Sequence, residues 1–223
     1  MKLVLFDLDG TLVHSAPDIA YAANLMLRDL GLAEQSYGRI AGWIGDGMAR
    51  LVKRALTGEI DGEPAAELFE RGLQRFKSHY AANLTRETEP YPGVVGAVAE
   101  LKSRGFILGC VTNKAEAFVQ PLLERLDLMK YLSVIVAGDT VAARKPDPLP
   151  LRYACERTGT NPAESVLIGD SANDVLGAKA AGMESIAVTY GYTPGRDMRA
   201  LQPDFVVDSA VEVPQYLRLY SIE

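Results

Sequence analysis

The sequence predicts an α/β protein in which a Rossmann-like parallel sheet, with helices on both faces, carries an inserted all-helical domain. Three observations lead to this prediction. The chain opens with a short apolar run that ends in acidic residues, strand-like and helix-like segments alternate from about residue 85 onward, and no convincing strand pattern occurs between residues 14 and 84. Such alternation is typical of right-handed βαβ units, whose parallel strands are buried on both faces. We therefore expect a discontinuous core of residues 1–13 and 85–223 and a helical domain of residues 14–84.

The first predicted strand, residues 3–6, is followed at once by two carboxylates, Asp7 and Asp9. Alternate residues of an extended segment point to the same side, so the two carboxylates could point to one place. Gly10 permits a sharp turn after them. Because neighbouring carboxylates repel each other, a divalent cation that prefers oxygen ligands, such as Mg²⁺, would stabilise the pair. A solvated turn is the alternative interpretation.

The inserted domain shows helical periodicity with one interruption. Apolar residues recur every three or four positions over residues 15–30, and Gly31 is a helix-stop signal. Residues 37–47 are rich in glycine and predict an irregular stretch. Two further helices are expected over residues 48–56 and 64–83.

The rest of the chain follows a turn marked by Pro90, Pro92 and Gly93. Pro121 lies inside one helical pattern and predicts a kink or a late helix start there. The expected order is helix 94–103, strand 106–111, helix 115–126, strand 134–136, helix 149–158, strand 166–168, helix 173–181, strand 185–188 and strand 205–207.

Composition excludes several classes of protein. The net charge of −6 over 223 residues argues against a nucleic-acid partner, because general nucleic-acid binders carry a basic excess. No apolar run approaches the roughly 20 residues of a membrane span, so no membrane partner is expected. The two cysteines, Cys110 and Cys155, fall in predicted core elements and are interpreted as reduced packing residues. The first residues enter a strand with no signal-peptide pattern, and a cytoplasmic location is expected.

Further polar residues follow or lie near the ends of other predicted strands. Residues 112–114 (Thr-Asn-Lys) follow the second strand, Lys145 stands in a proline-rich loop, and Asp170 and Asp174 lie in an acidic turn after a later strand. Each has an ordinary structural interpretation as a helix cap, a surface lysine or a first-turn acid. Their shared position at carboxyl ends of strands favours one common site, since ligands bind at that edge of open α/β sheets.

Taken in order, these segments resemble the four motifs of the haloacid dehalogenase-like hydrolase superfamily. The helical insert is similar to the cap domain that this family places after its first motif. Other segments resemble, more narrowly, the bacterial phosphoglycolate phosphatase family. The four motif segments are Asp7-Leu8-Asp9-Gly10-Thr11, Thr112, Lys145-Pro146 and Gly169–Asp174, and the segments of the narrower likeness are residues 15–18, 42–47, 111–114 and 190–192.

The resemblance implies a phosphatase that works through an aspartyl-phosphate. Asp7 would be the nucleophile, and Asp9 would protonate the leaving alkoxide and then take a proton from water. Lys145 would offset negative charge. Thr112 and the backbone near Asn113 would bind the phosphoryl oxygens. An acid at Asp9 disfavours a dehalogenase, because a halide leaving group needs no proton.

The same resemblance implies a magnesium site. Its ligands would be the Asp7 carboxylate, the Asp9 backbone carbonyl and the Asp170 carboxylate. Asp174 would act through water or by orienting Lys145.

The substrate is expected to be a small phosphorylated metabolite, with 2-phosphoglycolate as the first choice. Arg50, Lys53 and Arg54 recur at helical spacing, and one of them is expected to pair with a substrate carboxylate; a solvated basic face is the alternative. A phosphatase or phosphomutase for a sugar phosphate, and a signalling module that only accepts a phosphoryl group, are the other functions considered. A monomer and a homodimer are equally compatible with the sequence.

Overall fold

The computed structural model describes residues 2–192 and 197–217, and the chain divides into two compact units. One unit comprises Met1–His14 and Pro90–Glu223, and the other comprises Ser15–Glu89. The first unit holds a six-stranded parallel sheet, which confirms the predicted α/β class. In the described part of the second unit, four helices account for most of the chain.

The main sheet has the order β5-β4-β1-β6-β7-β8, and every neighbouring pair of its strands is parallel. Starting at β1, the chain builds outward to one side and then returns to build the other side from β6. The space beyond the carboxyl ends of β1 and β6 is therefore the topological switch point, where open α/β sheets bind their ligands. The strands of the main sheet are β1 (Leu3–Phe6), β4 (Ile107–Val111), β5 (Val134–Val136), β6 (Ser165–Gly169), β7 (Glu184–Val188) and β8 (Phe205–Val207). Two short strands lie outside it, β2 (Val13–His14) and β3 (Glu89–Pro90).

Helices cover both faces of the main sheet. Leu5 belongs to a buried cluster with Leu151 and Ala178, whereas Phe6 lines a small apolar cavity together with Val94. Since neighbouring strand residues point to opposite faces, the cluster and the cavity lie on opposite sides of β1. The helices are α1 (Ala16–Asp29), α2 (Tyr37–Ala41), α3 (Met48–Thr57), α4 (Ala66–Ala82), α5 (Val94–Ser103), α6 (Glu116–Arg125), α7 (Leu149–Thr158), α8 (Ala172–Ala181) and α9 (Val213–Tyr216).

In the helical unit, the two chain ends are joined by one buried carboxylate. Asp18, in the first turn of α1, accepts hydrogen bonds from the backbone N–H groups of Glu87 and Thr88 at 2.9–3.0 Å. It also accepts one from Thr88 Oγ1 at 2.7 Å. Its side chain is fully buried, so the link is shielded from water. α1 and α3 both pack against α4.

Several local expectations were wrong. Residues 37–47 begin with the short helix α2, because the Ser36 side chain accepts a hydrogen bond from Arg39 N and caps it. α6 begins at Glu116 and contains Pro121, which excludes the late start, one of the two alternatives expected there; the kink stays a prediction. The short strand β2 and the helix α9 were not anticipated, since neither is long enough to show a periodic pattern.

No helix in the described ranges is both long enough and apolar enough to cross a lipid bilayer.

Candidate active site

The site lies at the carboxyl ends of β1, β4 and β6. Asp7 follows β1 and keeps the pairing going by donating its N–H to Ile168 O at 2.9 Å. Thr112 follows β4 and donates its N–H to Val136 O at 2.9 Å. Asp170 follows β6, and all three side chains are buried. The parallel pairing therefore carries residues from distant parts of the sequence to one edge of the sheet.

Three buried carboxylates form a cluster at the switch point. Asp7, Asp170 and Asp174 each offer an oxygen within 4.8 Å of the others. Lys145 Nζ lies 3.0 Å from Asp7 Oδ1 and 2.6 Å from Asp174 Oδ1. The contact with Asp7 is an ion pair without hydrogen-bond alignment, and Asp7 Oδ1 has no hydrogen-bond partner among the described residues. Three carboxylates against one ammonium leave a net charge of −2 when all four groups are ionised.

The pKa values of these groups reflect the shortage of positive charge. Burial raises the pKa of Asp7 to about 6, although Lys145 opposes the shift. Burial, with the charges of Asp174 and Asp7, also raises the pKa of Asp170 well above its ordinary value. Burial alone would lower the pKa of Lys145, but the two neighbouring carboxylates raise it above its ordinary value, so the ammonium stays charged.

Glycines allow the chain to pass close to Asp170. A Cβ on Gly10, whose φ is +90°, would lie 2.3 Å from Asp170 Oδ2, and a Cβ on Gly191 would lie 2.2 Å from the same oxygen. This close approach lets Tyr192 N donate to Asp170 Oδ2 at 2.7 Å, and Thr11 Oγ1 contacts Asp170 Oδ1 at 3.4 Å. The orientation of Asp170 is therefore set from two sides.

Asp174 is held at the start of α8. Its Oδ2 accepts hydrogen bonds from Ser171 N at 3.0 Å and from Ser171 Oγ at 2.6 Å. Its Oδ1 accepts from Lys145 Nζ. Because both oxygens have partners, the arrangement suits a residue that orients Lys145.

The loop after β4 connects with the other site loops. Asn113 Nδ2 donates to Lys145 O at 2.9 Å, and Thr112 Oγ1 accepts from Lys114 N at 3.2 Å. Lys114 Nζ lies 2.9 and 3.1 Å from the two carboxylate oxygens of Asp9. The Asp9 side chain therefore faces Lys114, and it is not a member of the three-carboxylate cluster.

Two features of the site were missed by sequence reasoning. Lys114 was noticed only as part of a Thr-Asn-Lys segment, and its partner Asp9 is 105 residues away. The backbone N–H of Tyr192 was not anticipated as a donor to Asp170. The signal that could have found it is the Tyr-Gly-Tyr segment soon after β7, because that strand is paired with β6.

The predicted substrate cations of the helical unit have carboxylate partners in that unit. Arg50 and Lys53 both pair with Glu63, at 2.9 and 2.5 Å, and Arg54 pairs with Asp46 at 2.7 Å. Contact between any of them and a substrate stays a prediction.

The whole arrangement suits nucleophilic displacement at an anionic centre. A carboxylate lies beside an ammonium and two further buried carboxylates, and a hydroxyl and backbone N–H groups are close by. Asp7 Oδ1 has only the ion pair with Lys145, and the cluster carries excess negative charge. Both features fit a divalent cation, because these carboxylates can supply the hard oxygen ligands that it prefers.

Comparison with known proteins points to the same chemistry. Residues 4–188 match the family model described as "Haloacid dehalogenase-like hydrolase". The chain is 45% identical over 218 residues to a protein of Nitrosospira multiformis named "Phosphoglycolate phosphatase", covering 98% of this chain and 96% of that one. It is 47% identical over 212 residues to a protein of the same name from Thiobacillus denitrificans, covering 95% and 93%.

A solved structure shares the fold. The crystal structure of a predicted phosphoglycolate phosphatase from Haemophilus somnus superposes with a TM-score of 0.92 at 33% identity, covering 97% of each chain.

Proposed function

Because the chain belongs to the haloacid dehalogenase-like hydrolase family, we propose that it is a phosphatase that hydrolyses 2-phosphoglycolate to glycolate and phosphate. The observation that carries the proposal is the ion pair between Asp7 and Lys145 within a cluster of buried carboxylates. That cluster lies in a chain whose near-full-length relatives bear the name of this activity. The enzyme is thus a phosphoric monoester hydrolase.

In the first half-reaction, an Asp7 oxygen attacks phosphorus. The bond between phosphorus and the leaving oxygen breaks, and Asp9 donates a proton to that oxygen, so that the alcohol leaves and an aspartyl-phosphate forms on Asp7. Lys145 offsets the charge on Asp7 and on the phosphoryl oxygens. Thr112 Oγ1 and the backbone N–H groups of Asn113 and Leu8 donate hydrogen bonds to those oxygens.

In the second half-reaction, Asp9 takes a proton from a water molecule. The water oxygen attacks phosphorus, the bond to Asp7 breaks, and inorganic phosphate leaves. Asp9 is then protonated again, ready for the next leaving group. One residue thus serves both half-reactions, first as acid and then as base.

The metal we propose is Mg²⁺, held by the carboxylates of Asp7 and Asp170 and by the backbone carbonyl of Asp9. When bound, it would reduce the repulsion between the nucleophile and the negatively charged phosphoryl group. The cluster's net negative charge, which the ion pair with Lys145 only partly offsets, supports a divalent cation that prefers oxygen ligands. Asp174 accepts a hydrogen bond from Lys145 and so orients the ammonium that also contacts Asp7.

The helical unit is proposed to act as a cap that contributes to substrate selection, with Arg50 or Lys53 contacting the substrate. The reaction is placed in the cytoplasm, with a small phosphorylated metabolite as the substrate and with no nucleic-acid or membrane partner. The resemblance of the helical segment to the inserted cap of this family supports the first of these proposals.

The test is phosphate release with Mg²⁺ from 2-phosphoglycolate, several sugar phosphates and an aryl phosphate. We expect the highest kcat/KM for 2-phosphoglycolate and no measurable activity for Asp7→Asn. Asp127→Asn is the matched control, since this exposed aspartate is none of the site residues and has a positive φ that asparagine also tolerates. A higher kcat/KM for a sugar phosphate would contradict the substrate, and turnover by Asp7→Asn would contradict the mechanism.

A further inference from the structure

We propose that Lys114 is a specificity-determining residue that binds the carboxylate of the substrate, so that the enzyme selects phosphomonoesters with an acid group next to the ester oxygen. The proposal rests on the phosphatase function above and adds a role for a residue outside the four motif positions. It starts from the contact between Lys114 and Asp9.

The contact between Lys114 and Asp9 is buried. The side chains of Lys114 and Asp9 are only 6% and 12% exposed, and Nζ lies 2.9 and 3.1 Å from the two carboxylate oxygens. An ammonium this far from water needs an anionic partner to remain stable. Lys114 is also fixed at its backbone, since its N–H donates to Thr112 Oγ1. The cation is therefore held in a defined place near the reacting groups.

The two lysines of the site, Lys145 and Lys114, contact different catalytic carboxylates. Lys145 contacts Asp7 and Asp174 and so lies on the side of the nucleophile. Lys114 contacts Asp9, the residue proposed to protonate the leaving oxygen. Lys114 is thus on the side of the leaving group, where parts of the substrate other than the phosphoryl group must lie.

Lys114 Nζ is close enough to the position of the leaving oxygen to contact a nearby substrate group. A proton donor lies about 2.5–3.0 Å from its acceptor oxygen, so the leaving oxygen comes within about 6 Å of Lys114 Nζ. In 2-phosphoglycolate a single methylene separates the leaving oxygen from the carboxylate carbon. The carboxylate oxygens can therefore meet Nζ while Asp9 contacts the leaving oxygen.

When substrate binds, the substrate carboxylate can take the place of Asp9 at Lys114. Both carboxylate oxygens of Asp9 now contact Lys114, so at least one must turn away to reach the leaving oxygen. The buried ammonium then loses a carboxylate contact, which a substrate carboxylate can replace. An alkyl phosphate without an acid group cannot replace that contact. Discrimination thus follows from whether the substrate can replace the charged contact that Asp9 gives up.

The experiment compares 2-phosphoglycolate with ethyl phosphate, in which a methyl group stands in place of the carboxylate. We expect Lys114→Met to lower the ratio of the two kcat/KM values about 10- to 100-fold, the loss typical of one charged hydrogen bond. Glycolate should also become a weaker product inhibitor of this variant. Arg50→Met and Lys53→Met are the comparison variants, because each removes one of the two rival cations of the helical unit.

The outcomes separate the hypotheses. If Lys114→Met lowers kcat/KM for both substrates by the same factor, Lys114 only orients Asp9 and the proposal is wrong. It is equally wrong if Arg50→Met or Lys53→Met, and not Lys114→Met, changes the ratio. Should Lys114→Met fail to fold, Lys114→Gln keeps a polar side chain of similar reach without the charge and is expected to lower the ratio in the same way. Wild-type protein that hydrolyses neither phosphate ester would instead contradict the phosphatase function itself.

Discussion

Asp7 combines two properties that conflict in the absence of a cation. As a nucleophile it must be ionised, yet burial raises its pKa to about 6 and one of its oxygens has no hydrogen-bond partner. Lys145 meets only part of the need for positive charge, because it also contacts Asp174. A bound divalent cation would favour the ionised form of Asp7 and relieve the remaining repulsion.

This conflict predicts a pH-dependent effect of Mg²⁺ on stability. In metal-free protein the pKa of Asp7 is higher in the folded state than in the unfolded chain, so its contribution to stability is present at low pH and is lost as the pH rises through about 6. Mg²⁺ binds the ionised form and must displace a proton below that pH. We expect Mg²⁺ to raise the Tm more at pH 8 than at pH 5.

Thermal unfolding with and without Mg²⁺ across this pH range is the measurement. Asp7→Asn is the control, and its response to Mg²⁺ should be smaller and less dependent on pH. An equal increase in Tm at both pH values in the wild type would contradict the prediction.

A second prediction at this scale concerns Gly191. In Gly191→Ala the new methyl group would lie 2.2 Å from Asp170, so the carboxylate or the loop must shift. We expect a higher Mg²⁺ concentration for half-maximal activity and a lower kcat. Gly96→Ala is the matched control, since among the described residues beyond its chain neighbours and its own helix backbone no atom lies within 4 Å of the added methyl group. Alanine also favours the helix α5 by about 0.5–1 kcal/mol. Unchanged Mg²⁺ dependence in Gly191→Ala would show that Asp170 does not depend on this close packing.

At the scale of elements, a hydrogen-bonded junction links the beginning of the helical unit to its end. The first turn of α1 and the segment that ends the unit are joined through Asp18, which is buried and accepts from Thr88 and Glu87. The two segments are about 70 residues apart in the sequence. Without the carboxylate, backbone donors at the end of the unit would be left without a partner.

We therefore expect Asp18→Ala to lower the free energy of unfolding by about 3 kcal/mol, because several donors to a buried charged group lose their acceptor. Thr88→Val removes the hydroxyl bond alone and should cost about 1 kcal/mol. Urea unfolding of the three proteins provides the comparison. Equal losses for both variants would mean that the backbone bonds to Asp18 add nothing to stability.

At the scale of the whole molecule, the metal ligands that we propose all come from one of the two units. Asp7, Asp9 and Asp170 belong to the unit with the main sheet, and no proposed ligand lies within Ser15–Glu89. A ligand stabilises the structure to which it binds, and amide exchange reports that stabilisation locally.

Hydrogen exchange with and without Mg²⁺ tests this division. We expect slower exchange in β1, in β6 and at the start of α8, and little change in α3 and α4. Mg²⁺ that slows exchange equally throughout the chain would show that the two units open together. The experiment needs Asp7→Asn as a control for metal bound elsewhere.

Much of this fold could be predicted because short stretches of the sequence indicate its strands and helices. Short apolar runs followed by polar turns predict strands of a buried parallel sheet, and Asp7, Thr112 and Asp170 could be placed at strand ends from those runs alone. The short helix α2 was not predicted, since its Ser36 cap is followed by too few residues for a helical period to show.

The sequence by itself determined the α/β class and the order of most of the elements, which depend on neighbours along the chain, and its resemblance to a known family identified the four motif segments. Only the tertiary structure decided which charges meet. It joins Lys145 to both Asp7 and Asp174, and it pairs Lys114 with Asp9 across 105 residues. The physical reason is that an ion pair depends on distance and burial in three dimensions, and these are set by how the strands order themselves in the sheet. No local pattern encodes that order. The family resemblance had implied that Asp174 orients Lys145, whereas the pairing of Lys114 with Asp9 emerges only when the sheet is assembled.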